Sequence, residues 1–204
     1  WFFRPPIVNS PKMLEHLLQQ VQEKGADVDV ESGHEFESIQ EMSRYAIDQG
    51  CQGLVNCTGL ASGKICGDEE MVGARGILLQ YDRASCVRRD AIRNGPDGEN
   101  VKDAIIMADD APWGSETRPA YMIPRGDKIL VGGTYLEGDT EPLIRDSERE
   151  QLLLNASRLG IDTTKVEPTG EWVGFRPHRT TVRCELDDES HGLQDVAHNY
   201  GAGG

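Results

Sequence analysis

The sequence predicts a mixed α/β (α+β) fold in which a short helix-and-strand layer precedes a largely antiparallel sheet. Three observations predict it. Helix and strand signals alternate through the first third, β-rich runs separated by turn residues begin near residue 73, and two extended stretches occupy the final third.

The first helix follows "FFRPPIVN". Ser10 stands as N-cap with Pro11 at the first helical position, Met13, Leu14, Leu17, Leu18 and Val21 recur at helical spacing, and Gly25 ends the run. "ADVDV" (26–30) alternates as a short strand, and a weaker helix follows over about 36–48. "GLVNCTG" then reads as a buried strand ending in a polar turn at Asn56-Cys57-Thr58-Gly59, where open α/β sheets place ligands. The runs "GARGILLQYD", "DAIIMA", "PAYMIPRG" and "KILVGGTY" predict an antiparallel sheet, with "RGDK" joining the last two as a tight hairpin. "IRDSEREQLLLNASRLG" (144–160) is a further helix, capped near Asp146 or Ser147 and closed by Gly160. "TGEWVGFRPHRTTVRCEL" and "DVAHNYGAGG" are two strands that leave one layer and return to another, and "NGPDGEN" (94–100) is a loop tip.

Composition narrows the function. With 35 acidic against 21 basic residues and a net charge of -14, long-range electrostatics oppose nucleic acid and anionic membranes, so a small or weakly charged ligand is expected. A hydrophobic share of 37% is that of a water-soluble chain, and no apolar run approaches the roughly 18 residues that span a bilayer. Five cysteines (Cys51, Cys57, Cys66, Cys86 and Cys184) without a C-x-x-C pair indicate neither a disulfide framework nor a zinc site, so a reducing compartment is expected. The opening "WFFRPP" lacks a basic segment and small-residue cleavage site and reads as mid-protein sequence.

Three groups of residues are candidates for chemistry. Arg176, in "GFRPHR", presents a planar fork of donors that matches a carboxylate at two points, on a backbone stiffened by Pro177. The alternative from spacing alone is an arginine paired with one of the protein's own carboxylates, and His178 and Arg179 stand in the same position. In "HNYGAGG", three glycines in four residues let the main chain approach a flat ligand, or simply make a turn in which His198 and Asn199 satisfy nearby groups. Tyr121 either donates its hydroxyl to a bound carboxylate or packs in the core. A thiol nucleophile at Cys57 with His198 as base is disfavoured, because apolar surroundings raise a thiol's pKa. The G-x-G-x-x-G dinucleotide fingerprint is absent.

In chain order, "VNCTG", "YMIP" leading to "LVGGTY", "GFRPHR" and "HNYGAGG" resemble the D-amino acid oxidase family, FAD-dependent enzymes that include D-aspartate oxidase. The resemblance runs from about residue 1 to 204, and its specific parts are "GFRP" with an arginine two residues on and "HNYG-x-GG". It implies part of a Rossmann-like FAD-binding layer in 1–66, a substrate-binding domain with a mixed β-sheet in 67–184, and a return to the FAD-binding domain in 185–204. It implies that Arg176 clamps the substrate carboxylate, that Tyr121 adds a hydroxyl to it, and that the carbonyl of Gly204 accepts from the substrate amine. Cys57, Thr58 and Gly59 would lie against the flavin, with Arg176, Gly201, Gly203 and Gly204 also on the cofactor side. Thr117 stands where many members carry a second active-site tyrosine, which leaves the substrate side chain open, and Arg118 keeps D-aspartate in play.

The implied reaction is direct hydride transfer from the substrate α-carbon to the flavin, with oxygen reoxidising it to give hydrogen peroxide and the imino acid hydrolysing to a 2-oxo acid. No acid or base on the protein is expected, since orientation carries such chemistry. Members begin with a strand, a glycine fingerprint and a helix and continue beyond the final glycines, so a partial sequence is expected. The expected partners are a D-amino acid and oxygen, with a homodimer as the assembly. Peroxisomal location is expected in a eukaryote and cytoplasmic otherwise. A non-catalytic scaffold derived from the fold is the alternative of another class.

Overall fold

The computed structural model describes residues 8–30, 33–86, 105–107 and 120–203. The "NGPDGEN" loop, Thr117, Arg118 and Gly204 lie outside the described residues. The chain forms two compact units, one of residues 1–32, 76–135 and 142–173, the other of 33–75, 136–141 and 174–204.

In the first unit, helix α1 spans Ser10–Glu23. Its N-cap is Asn9, whose Oδ1 accepts from the Lys12 N–H at 3.5 Å, so the cap falls one residue before the expected Ser10 and Pro11 sits at the second helical position. Asn and Ser both cap well, and their succession leaves the choice to the fold. None of the α1 residues is buried, and Met13, Leu14, Leu17 and Val21 keep their apolar stripe exposed. The strand expected at 26–30 does not form, because alternation alone supplies no partner for its backbone groups.

The sheet of this unit forms as expected. It contains the later residues of β2 (Val72–Asp82), then β3 (Ile105–Met107), β4 (Ala120–Arg125) and β5 (Lys128–Gly132). β4 pairs antiparallel with both β3 and β5, and β5 with β2. Gly126 opens the β4–β5 hairpin at φ +62°, and Arg125 faces Lys128 across a two-residue turn. Alternation then divides the residues. Ile77, Leu79, Tyr81, Met122, Ile129 and Val131 form a core with Leu152, Ala156 and Leu159, while Tyr121 and Leu130 point to the other face.

Leu152 and Ala156 belong to the second helix of this unit, Asp146–Arg158, which packs on that core. The Arg145 N–H donates to Glu148 Oε2 at 3.0 Å at its start. At its end the Gly160 N–H reaches the Ser157 carbonyl and the Ile161 N–H the Ala156 carbonyl, with Gly160 at φ +103°.

The second unit is built on a parallel pair. β1 (Gly53–Asn56) runs beside β8 (Asp195–Ala202), with Gly53 facing Asp195 and Asn56 facing His198. β8 pairs antiparallel with β7 (Gly170–Leu186), whose residues from 174 onward belong here. Helix α2 (Ile39–Asp48) is capped by Ser38, whose Oγ accepts from the Glu41 N–H at 3.2 Å, while Glu41 accepts from the Glu37 N–H at 2.8 Å. Its Ile39, Met42 and Ala46 pack with Val196, Leu193 and Ile65 of the short helix α3 (Ala61–Ile65). The start of β2 pairs with β6 (Leu136–Glu137) at Ala74–Glu137 and Arg75–Leu136. Among the described residues no helix is long and apolar enough to cross a membrane.

Candidate functional site

The site grows from the carboxyl end of β1. Asn56 is fully buried there, and its Oδ1 accepts from the Thr58 N–H at 3.1 Å, the Thr58 hydroxyl at 2.8 Å and the Ser62 hydroxyl at 3.4 Å. These donors fix the amide, so Nδ2 faces His198 and donates to its Nδ1 at 3.3 Å. The His198 proton therefore sits on Nε2, which donates to Asp187 Oδ2 at 2.8 Å. Burial pulls the Asp187 carboxyl pKa upward, but the His198 hydrogen bond and the Glu189 N–H outweigh it and hold it at about 2. A continuous chain of polar contacts thus runs from the end of β7 through β8 to the turn after β1.

The inner side of that turn is tied down, and its outer side is open. Cys57 and Thr58 are exposed, and Gly59 adopts φ +59° against Pro177, whose ring carbons lie 3.8 Å from where a Cβ on Gly59 would stand. Pro177 also holds the glycine tail, because its carbonyl accepts from the Gly203 N–H at 2.8 Å. Three stretches distant in sequence, "NCTG", "GFRP" and "YGAG", therefore meet at one proline.

The cations of "GFRPHR" have different surroundings. Arg179 pairs with Asp68 at 3.0 Å and with Glu70 at 3.4 Å, and His178 lies 3.4 Å from Glu137. The Tyr200 hydroxyl donates to the same Asp68 oxygen at 2.9 Å and accepts from Arg183 at 2.9 Å. Burial, countered by Arg183 and reinforced by the bond to Asp68, pushes the Tyr200 phenol up to about 12. Arg179 and Tyr200 thus brace β7 and β8. Arg176 is half-buried on β7, one residue before Pro177.

Tyr121 lies in the first unit on β4, on the face away from the helix core. A cavity of about 20 Å3 in that unit, lined by residues including Ile77, Thr134, Glu148 and Asn155, has room for about one water and is too small for a substrate. Cys57 is not paired with His198. The thiol near that ring is Cys66, 3.8 Å from Nδ1, and burial raises its pKa. Among the described residues no cluster of His, Cys, Asp and Glu could hold a metal. Sequence reasoning placed Asn56 in the ligand turn without its supporting role, and missed Asp187. Asn two residues before Thr is an Asx-turn signal that points to the first, but nothing local points to the second.

The residues present fit the flavin side of an FAD site. A turn at the carboxyl end of a parallel strand offers exposed main chain at Cys57 and Thr58, and the tail keeps Gly201 bare because a Cβ there would lie 2.8 Å from Arg179 Cβ.

Comparisons with known proteins identify the family and the fold. The family described as FAD dependent oxidoreductase matches residues 1–204. A D-amino-acid oxidase of Dictyostelium discoideum is 30% identical over 155 residues, covering 74% of this chain and 38% of that protein. D-aspartate oxidase 1 of Caenorhabditis elegans is 27% identical over 198 residues, covering 95% of this chain and 50% of that protein. The chain thus spans half or less of the length of these two relatives. The crystal structure of glycine oxidase from Bacillus cereus shares the fold at 15% identity and a TM-score of 0.50, over 74% of this chain and 36% of that one.

Proposed function

The chain belongs to the FAD dependent oxidoreductase family, and on that premise we propose that it serves the oxidative deamination of D-amino acids to 2-oxo acids, with ammonia and hydrogen peroxide as the other products. The observation that carries this reading is the meeting of "NCTG", "GFRP" and "YGAG" at Pro177, with Arg176 next to it in sequence. Bound FAD supplies the acceptor for the two electrons removed from the substrate.

The chain's own residues bind and orient. The main chain at Cys57, Thr58 and Gly59, fixed from below by Asn56, lies along the flavin. Arg176 takes the substrate carboxylate through a two-point, charge-assisted pair. Tyr121 donates its hydroxyl to the same carboxylate, and the carbonyl of Gly204 accepts from the amine. Fixing the acid end and the amine selects one enantiomer, because only one hand then directs its α-hydrogen toward the cofactor. A D-aspartate-preferring form of the same chemistry is favoured by the 27% identity to D-aspartate oxidase 1 over 95% of this chain.

The test is peroxide release by the purified holoenzyme with D-alanine, L-alanine and D-aspartate. A yellow protein that releases peroxide with a D-isomer and not with L-alanine is expected. A colourless protein, or one inert toward D-amino acids, overturns the reading and favours a scaffold.

A further inference from the structure

The sheet of the first unit places a tyrosine against a gap made by two glycines. Tyr121 and Gly132 face each other in the β4–β5 register, and Leu78 of β2 faces Gly132 from the other side, so the three form one row across the sheet. The row lies on the face away from the helix, since the flanking residues Ile77, Leu79, Met122 and Val131 belong to the core that the helix covers. A Cβ on Gly132 would fall on the Tyr121 ring, against Cζ and the hydroxyl and 2.7 Å from Cε2. One on Gly133 would lie 2.8 Å from the hydroxyl and 3.0 Å from Cε1. Neither glycine has a positive φ. The crowding by the ring therefore sets a requirement for space at both positions.

The consequence concerns the hydroxyl. With Gly132 bare, the ring lies over β5 and carries its para end to the Gly132–Gly133 step. With any side chain at 132, the ring must lift, and the oxygen at its tip moves furthest. A hydrogen bond tolerates only a few tenths of an ångström before it weakens.

We propose that Gly132, assisted by Gly133, is a positioning residue that seats the Tyr121 ring and so sets where its hydroxyl meets the substrate carboxylate. The proposal rests on the reading of Tyr121 given above. Its sequence signature is the "GG" of "LVGGTY", placed by the hairpin directly opposite "AYMIP".

The test compares Gly132→Ala, Tyr121→Phe, Tyr121→Ala and the double variant Tyr121→Ala/Gly132→Ala in the holoenzyme. It reads KM and kcat for D-alanine, the Kd of propanoate by calorimetry and the thermal midpoint. Gly132→Ala is expected to raise KM and the propanoate Kd about tenfold or more, to the level of Tyr121→Phe, the scale of one lost bond to a charged group, with a smaller change in kcat. In the Tyr121→Ala background the same substitution should change neither constant, because no ring remains to displace. An unchanged KM and Kd in Gly132→Ala, or a further rise in the double variant, overturns the proposal. If Gly132→Ala does not fold, the double variant decides. Folding with the constants of Tyr121→Ala supports the seat, and failure to fold shows that the strand needs glycine for its own sake. A parent that binds propanoate without oxidising D-amino acids sinks the oxidase reading and leaves the seat tested through Kd, whereas a parent that does neither removes both.

Discussion

Replacing Asn56 by alanine tests the polar chain beneath the candidate flavin turn. The substitution removes the acceptor of the two Thr58 donors and the donor to His198 Nδ1. Thr58 is exposed, so water replaces its lost bonds at little cost, and Ser62 keeps its contact to the Thr58 hydroxyl at 2.8 Å. His198 is only 1% exposed, so its Nδ1 lone pair is left with only the weak thiol donor of Cys66 at 3.8 Å. An unmet buried polar atom costs about 1–3 kcal/mol, and the lost packing raises the total to roughly 2–4 kcal/mol. For a protein of this size that lowers the thermal midpoint by about 5–10 °C, measurable by circular dichroism. Asn56→Asp separates the two halves of the argument. It keeps the acceptor for Thr58 but turns a second acceptor on the His198 Nδ1 lone pair, so it should lose at least as much stability as Asn56→Ala although Thr58 stays tied. A loss under 1 °C in Asn56→Ala (about 0.3 kcal/mol), or an Asn56→Asp midpoint equal to the parent's, refutes the assigned chain.

Three further outcomes are expected. Arg176→Leu should raise KM for D-amino acids about a hundredfold or more, with a smaller change in kcat, because the carboxylate loses its charged partner; steady-state kinetics would reveal an unchanged KM if the clamp lies elsewhere. Iodoacetamide should label Cys57 in the apoprotein and much less in the FAD-loaded form, whereas the exposed Cys51 and Cys184 react in both and Cys86, which burial and the Asp82 charge push to about 11, reacts in neither; equal labelling of Cys57 in the two forms would remove the turn from the flavin. Asp187 has its folded pKa lowered to about 2 from 3.8, so its contribution is present above the unfolded value and is lost as pH falls from about 4 to 2. With its side chain 18% exposed, that contribution is about 1 kcal/mol after solvent screening, and Asp187→Asn should flatten the acid limb of a urea-midpoint titration by that amount, parallel limbs being the contrary result.

The fold was legible where the deciding physics is local. Gly25 and Gly160 close two helices at positive φ, and "RGDK" makes a two-residue hairpin, because a few neighbouring residues settle each of these. "ADVDV" has the alternation of a strand but not the partner that would make it one. The apolar stripe of α1 likewise marks a helix without saying what covers it. The site was legible to the extent that "NCTG" and "YGAG" sit at strand ends, while "GFRP" lies inside β7. Its polar support was not, since Asp187 reaches His198 only because Leu186 pairs with Ala197 across two strands, and Asp68 reaches Arg179 across 111 positions. Register decides those meetings, and single-sequence patterns do not encode it.

The same logic explains why a short motif in an acidic chain carries two arginines and a histidine. Asp68 takes Arg179 and the Tyr200 hydroxyl together, and burial that would raise its pKa is outweighed by those two partners, so it stays ionised and ties the loop at 68 to both β7 and β8. Once Arg179 is held there, its Cβ closes the space beside Gly201, and the tail must run bare past it to donate the Gly203 N–H to Pro177. The second arginine thus shapes the path of the glycines toward the turn after β1. Arg179→Leu should therefore unfasten the tail and lower the thermal midpoint, and a midpoint equal to the parent's would refute the bracing.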